Sequence, residues 1–431
     1  MLKRLPLFVC LIAPLLTGCV TLTPGIGKED IHIQNGMLTR DKWDITLKAI
    51  TVPELAAGRN ELSKTAPALA RIAYVGGNTA CTDLPGFNAD GTAIDPADVA
   101  GLGNLCHRAK EQRMAIIVRV LGDHTDPVFC ENAVRTAAAA LQNERRAVYY
   151  FDGPDAVKWA TLFRELAPKL VVAAPEVGHV KVVTETPAPP AKEPVLVLGK
   201  AHGHFDMNTH FLMGSDPAAY EAVEAVLVNE VQKKEWTPDN SVLSEAERKE
   251  GFIALANKKD FDGWWQLNPD MNSFIVNEAG DFEFKEAGGK AILTRNRYSD
   301  FILRLDFKIE EGGNSGIFLR APRDARQSKI GMEFQIHGDH GVEPSDDSTG
   351  AVYKVKAARV NGSNPAMTWN SLEIILDGSH MKATLNGKLI HDFDMDTIDE
   401  LKYRLREGFI GLQDHDHFVA FRNVRIKELN K

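Results

Sequence analysis

The sequence predicts two unlike domains: an α/β half built on an open or degenerate β/α-barrel-like parallel sheet, then an all-β sandwich of the jelly-roll kind. Three observations lead there. The chain has 431 residues, 44% hydrophobic and 25% charged, which is ordinary globular composition and too long for one compact core. From about residue 41 to 246, short apolar runs alternate with helical stretches. From 247 to the end, period-two alternation takes over and helices nearly vanish.

The first residues read as a leader. Met1-Leu2-Lys3-Arg4 is basic, and Leu5 to Leu16 is an apolar run of signal-peptide length, too short to span a bilayer. It ends in Leu16-Thr17-Gly18-Cys19, which is similar to a bacterial lipobox. The expectation is a signal over 1–18, lipidation of Cys19, and an anchor and tether over 19–40. A plain secretory signal with a chance cysteine is the alternative. No Asp follows Cys19, so resemblance to Gram-negative lipoproteins implies the cell envelope, with the outer membrane favoured over the inner. Cys81, Cys106 and Cys130 remain, enough for one disulfide and one thiol, without zinc spacing.

In the α/β half, 41–246, the strand candidates are Arg71–Val75, Ala115–Val120, Ala147–Phe151, Leu170–Ala173 and Val195–Leu198. Near-continuous apolar strands imply burial on both faces, hence a parallel sheet covered by helices. Helices are expected over Asp98–Gln112, Cys130–Asn143, Pro154–Leu166 and Pro217–Lys233, bounded by Asp, Asn, Gly or Pro. Five or six strands are evident where a full barrel needs eight. Asn78, Asp123, His124, Asp152, Glu176, His202 and His204 follow predicted strands, where an α/β sheet keeps its ligand face. His202, His204, Asp206 and His210 are either metal ligands at alternate positions or a solvated loop. There is no phosphate-binding glycine loop and no nucleophile-elbow serine.

In the all-β half, 247–431, Asp300–Glu310 places Phe301, Leu303, Leu305, Phe307 and Ile309 on one face and charged residues on the other. Strands are expected also at Ser315–Arg320, Met332–His337, Ala351–Val355, Ser371–Leu376, Met381–Leu385, Phe409–Gln413 and Val419–Ile426. Gly288-Gly289, Asp377-Gly378 and Asn386-Gly387 supply residues that tolerate the positive φ of tight hairpins.

Ordered motifs in this half carry a resemblance. They are Phe261-Asp262-Gly263-Trp264-Trp265, Asn314-Ser315-Gly316-Ile317-Phe318-Leu319-Arg320, Gly331-Met332-Glu333-Phe334-Gln335-Ile336, Thr349-Gly350-Ala351-Val352-Tyr353, Trp369-Asn370, Leu385-Asn386-Gly387, and Gly411-Leu412-Gln413-Asp414-His415 before Phe421-Arg422-Asn423-Val424. The series resembles the 3-keto-disaccharide hydrolase domain family over about residues 250–429. That resemblance implies a concanavalin-like jelly roll and cleavage of 3-keto-glycosides. A ketone at carbon 3 acidifies the hydrogen on carbon 2, so proton abstraction, elimination of the carbon 1 oxygen and hydration would follow.

Such chemistry needs a base, an acid and an enolate stabiliser. By residue type and strand face the catalytic candidates are Glu333, His415 and Arg320, with His337 in reserve. The carbohydrate-binding candidates are Asn314, Gln335, His337, Tyr353, Trp369, Asn370 and Gln413, and Trp265 is a third ring for stacking. A cross-strand ion pair between Glu333 and Arg320 is the structural alternative. Asp414-His415-Asp416-His417 reads as a turn or as a divalent-metal site, and no cofactor is otherwise expected. The formal charge of −9 and the lack of a basic run set nucleic acid aside. That balance is compatible with neutral sugars without requiring them. A non-catalytic glycan-binding surface lipoprotein, and an envelope scaffold with a protein partner, are the competing functions.

Overall fold

The structure, a computed structural model, describes residues 30–40, 43–184, 191–199, 201, 208–227, 236–267, 272–288 and 290–429. Cys19 and the leader lie outside the described residues, as do His202, His204 and Asp206. Among the described residues, no helix is long and apolar enough to cross a membrane.

Within the stretch expected as a tether, β1 (Ile31–Gln34) and β2 (Met37–Arg40) form a hairpin that β3 (Trp43–Asp44) extends. Eight parallel strands follow: β4 (Lys48–Thr51), β5 (Thr79–Asp83), β6 (Ala115–Arg119), β7 (Ala147–Tyr150), β8 (Val171–Ala174), β9 (Val180–Val183), β10 (Val195–Leu198) and β11 (Thr209–Met213). They close into a barrel, with β11 hydrogen-bonded to β4. The barrel-like parallel sheet is as expected, and it is closed where the sequence suggested an open or incomplete one. Of the strands that the sequence reading lacked, β9 was hard to see because it follows β8 after five residues, with no helix to separate two apolar runs.

Most of these strands bury both faces, which explains the continuous apolar runs, while β9 leaves Lys181 exposed. Ala49, Cys81, Ile117, Val148, Tyr150 and Ala173 fill the interior together with Ile31 and Leu38 of the hairpin. Ile50, Ala80, Ile116, Val118 and Tyr149 meet the helices outside. Those helices are α1 (Glu54–Gly58), α2 (Leu62–Tyr74), α3 (Pro96–Glu111), α4 (Pro127–Leu141), α5 (Ala156–Leu166) and α6 (Pro217–Leu227). Asp95 and Asp126 cap α3 and α4 at the backbone N–H groups of Ala97 and Phe129, each followed by Pro at the first helical position.

In the barrel, one expected strand is overturned. Arg71–Val75 is not a strand but the end of α2, whose buried residues Thr65, Ala68, Leu69, Ile72 and Ala73 recur with helical spacing. The strand is the next run, Thr79–Asp83, so Asn78 precedes it. Asn78 binds the Lys48 N–H and the Thr46 carbonyl, tying two strand starts together. The three cysteines are buried free thiols; the disulfide that their number allowed is absent. Burial pushes the Cys81 thiol up to about 12, so it is inert at neutral pH.

After α7 (Glu245–Glu250), the second domain comprises β12 (Ile253–Ala254), β13 (Trp264–Gln266), β14 (Phe274–Val276), β15 (Phe282–Phe284), β16 (Ala291–Thr294), β17 (Phe301–Ile309), β18 (Asn314–Ala321), the short helix α8 (Gln327–Ile330), β19 (Met332–His337), β20 (Asn370–Asp377), β21 (His380–Leu385), β22 (Lys388–Asp394), β23 (Phe409–Gln413) and β24 (Val419–Glu428). Two antiparallel sheets face each other, one ordered β14-β15-β24-β17-β20-β21-β22 and the other β13-β16-β23-β18-β19. The alternating apolar residues of β17 and β19 lie in the core between them. Asn386 and Gly387, at φ 50° and 77°, turn β21 into β22. Ala351–Val355 is not a strand; Lys354 at φ 56° breaks its extension, and only single bridges at Val352 remain.

The sandwich docks on the end of the barrel where strands begin. Lys48 at the start of β4 pairs with Asp324 at 2.8 Å, the Arg326 N–H donates to the Gln112 carbonyl at 2.9 Å, and Arg297 pairs with Glu224 at 2.6 Å. Ala325, Ile330 and Leu405 join the apolar layer of the barrel helices. The hairpin covers the same end, through Arg40 on the Met114 carbonyl and the Ile31 N–H on that of Arg145.

Candidate active site

The outer face of the five-stranded sheet and the end of the barrel enclose a cleft. Alternation sends Met332, Phe334 and Ile336 of β19 into the core and Glu333 and Gln335 to the other side. On neighbouring β18, Asn314 and Phe318 share that side, and β23 adds Gln413. Gly316 leaves space for the carboxylate: a Cβ there would meet Glu333 Oε1 at 2.5 Å. The connection from β18 to β19 contributes Arg326 and Ser328, and the barrel contributes Arg113 from the turn after α3. Tyr353, Lys290 and the exposed His415 stand around the opening. The cleft holds about 750 Å³, solvent at its mouth included, which is within the range of small-molecule sites.

Glu333 is 4% exposed. Burial pushes its carboxyl up to about 7, against hydrogen bonds from Gln413 and Ser328 and the positive charge of Arg326, which favour the ionised form. Gln335 Nε2 donates to Asn314 Oδ1 at 3.1 Å. Oε1 of Gln335 and of Gln413 are buried and accept no hydrogen bond among the described residues. Buried acceptors left open cost stability unless something donates to them, and sugar hydroxyls are suitable donors.

Several expected residues are here and several are not. Glu333, Gln335, Asn314, Tyr353, Gln413 and His415 converge. Arg320 does not. The register of β18 against β23 shifts between Phe318 and Ala321, and Arg320 sits at φ 49° within that irregularity, so its side chain leaves the cleft face. Its fully buried guanidinium donates to the Ser299 and Gly378 carbonyls at 2.6 and 2.9 Å and pairs with Asp300 at 2.9 Å. Neither its catalytic role nor the alternative ion pair with Glu333 fits that geometry.

His337 lies opposite Asn314 at the end of β19, beyond the cleft lining and 3.8 Å from Asp339. Trp369 and Asn370 belong to the other sheet's side of the sandwich. Lys308 and Arg422 pack over the Trp369 ring, while Asn370 Oδ1 accepts from the Asn364 N–H and from Asn386 Nδ2. Trp265 donates to the Thr294 carbonyl and packs edge-on against Phe409. Asp414 is committed to its turn, accepting from Ser273 Oγ, the Gly288 N–H and the Asp416 N–H. Among the described residues, no group of three His, Cys, Asp or Glu side chains is placed to hold a metal ion. His210, a candidate ligand, is buried with Nδ1 accepting from the Leu47 N–H.

Arg113, Arg326, Lys290 and Ser328 were missed. The polar run Arg323-Asp324-Ala325-Arg326-Gln327-Ser328 joins two motif strands, and that was the available signal for Arg326 and Ser328. Nothing near Arg113 marks it, because docking of the two domains is what brings it to Glu333. At the opposite end of the barrel, where strands finish, Arg119 of β6 gathers Asp83 at 3.2 Å, Asp152 at 3.8 Å and Asp123 into an ion-pair cluster.

Comparison with known proteins shows what the second domain is similar to. Residues 251–427 match the family model of the 3-keto-alpha-glucoside-1,2-lyase-like domain. The match contains every cleft residue named above except Arg113. A 3-keto-disaccharide hydrolase of Bacteroides thetaiotaomicron is 23% identical over 232 residues, 42% of this chain and 79% of that protein. A solved structure of a candidate glycosyl hydrolase from Parabacteroides distasonis is 27% identical, with a TM-score of 0.39 over 44% of this chain and 99% of that one. A Bacillus subtilis carbohydrate-binding module is 18% identical, with a TM-score of 0.29 over 38% of this chain and 96% of that one. The matched family and the named relative point to a function of the glycosyl hydrolase type.

Proposed function

We propose that the lyase-like domain cleaves 3-keto-glycosides by elimination and hydration, with Glu333 as the proton-transferring group. The observation that carries this reading is a buried carboxyl held up to about 7 in a polar cleft, since such a group gives and takes protons near neutral pH. Ionised Glu333 removes the hydrogen on carbon 2. The electron pair forms the enolate of the carbon 3 ketone, and Arg326 supplies the positive charge that stabilises it. The enolate then expels the carbon 1 oxygen, which takes a proton at the rim, where His415 stands. Water adds to carbon 1 and gives its proton back to the rim group that protonated the leaving oxygen, and Glu333, its carboxyl proton exchanged with solvent in the intermediate, protonates carbon 2. Gln335 and Gln413 accept from ring hydroxyls through their open Oε1 atoms.

Attachment of the chain to the envelope through Cys19 is part of the same proposal, resting on the lipobox-like segment alone. Changing Cys19 to Ala is the corresponding check: release from the membrane fraction supports the anchor, and retention overturns it.

The catalytic reading is tested by incubating the protein with a 3-keto-disaccharide and with its unoxidised counterpart and following the release of monosaccharides. Release from the keto form alone is expected. Binding of both with release from neither would replace catalysis with glycan capture.

A further inference from the structure

Resting on that catalytic reading, we infer that the natural substrate is an acidic glycoside, whose unit attached to the keto-sugar carries an oxyanion such as a uronate carboxylate or a sulfate ester. The basis is the space next to the cleft. Where the hairpin, the barrel end and the sandwich meet, a trough continues from the site and shares Arg113, Lys290 and Arg326 with it. Beyond them it adds Arg40 and Lys110, so five cations face one acidic side chain, Glu111. This concentration occurs in a chain whose net charge is −9, so it does not reflect a generally basic surface.

Part of the charge is already balanced. Lys110 lies 3.4 Å from Glu111, and the Arg40 guanidinium donates to the Met114 carbonyl. Arg113 and Arg326 make no side-chain hydrogen bond or ion pair among the described residues, although their guanidinium groups are close enough to oppose one another electrostatically. Burial lowers Arg113 from the usual arginine value and the charge of Arg326 lowers it further, and Lys290 is lowered in the same way by burial and by Arg113. Bringing like charges together in a partly desolvated channel is unfavourable unless an anion joins them. A carboxylate or sulfate matches the forked donors of arginine. The ring that must present carbon 2 to Glu333 fills the cleft, and the attached unit runs past Arg113 into the trough.

The test uses the full-length protein and three 3-keto-disaccharides whose second unit is glucose, glucuronate or 6-sulfated glucose. At low ionic strength, kcat/KM for at least one charged substrate should exceed that of the neutral one by about tenfold or more, carried mainly in KM. The advantage should shrink as salt screens it. The double variant Arg40→Gln/Lys110→Gln should lower the ratio of charged to neutral kcat/KM at least fivefold. Equal kcat/KM for all three, or an advantage that the double variant leaves intact, would overturn the inference. If none of the three is cleaved, the catalytic reading has failed, and calorimetric titration with the unoxidised disaccharides decides the inference separately: tighter binding of a charged one supports it, and equal affinities overturn it.

Discussion

Glu333→Gln is expected to reduce turnover of a 3-keto-glycoside by roughly 10²–10⁴-fold while making the protein more stable at mildly alkaline pH. The first effect is the loss of a general base and acid. The second follows from the direction of the shift. The Glu333 carboxyl titrates from 4.5 when unfolded and about 7 when folded, so between those values the folded chain holds a proton that the unfolded chain has released. Stability therefore falls as pH rises from the lower value through the upper one. At about 1.36 kcal/mol per pKa unit, the buried carboxylate costs about 3–4 kcal/mol above the upper value. Gln has the same shape and no such dependence. Thermal unfolding of the two proteins should coincide near pH 4 and separate near pH 8, with the variant higher. In the native enzyme the same titration raises kcat/KM as pH climbs through about 7, because the base must be ionised. Equal midpoints at both pH values, or a variant that keeps full turnover, would remove Glu333 from its role.

Arg320→Ala has the opposite profile. Its fully buried guanidinium satisfies two backbone carbonyls and the Asp300 carboxylate, which also accepts from the Gly378 N–H. Removing one partner of a buried pair typically costs about 3–5 kcal/mol. For a domain of this size that lowers the unfolding midpoint by on the order of 10 °C. Turnover per folded molecule, measured well below that midpoint, should stay within about threefold of the parent, since the side chain does not line the cleft. Lost turnover with an unchanged midpoint would return Arg320 to the chemistry.

The contrast between these two residues shows how much was legible. Period-two alternation placed Glu333 and Gln335 on one face and Met332, Phe334 and Ile336 on the other, and that reading holds because β19 is regular through its length. The same alternation placed Arg320 beside them and failed at the register shift between Phe318 and Ala321, a feature with no residue signature in the sequence. The barrel shows the same limit. The apolar runs of β6, β7, β8 and β10 were visible, whereas β4, β5 and β11 were not, nor was β9, which follows β8 after five residues. Arg71–Val75 resembles a strand when taken alone and becomes helical only when Thr65, Ala68 and Leu69 are counted with it. Arg113 illustrates the part that single-domain reading cannot reach, because its place beside Glu333 is set by two interfaces at once: Gln112 with Arg326, and Lys48 with Asp324.

The most direct test of elimination at Glu333 is the fate of the hydrogen on carbon 2. Cleavage of a 3-keto-disaccharide in deuterium oxide, followed by NMR of the released 3-keto-monosaccharide, reads it. Elimination and hydration predict deuterium at carbon 2 of every hydrated product molecule, at a rate that falls with Glu333→Gln. Cleavage that leaves the original hydrogen on carbon 2 would contradict the mechanism.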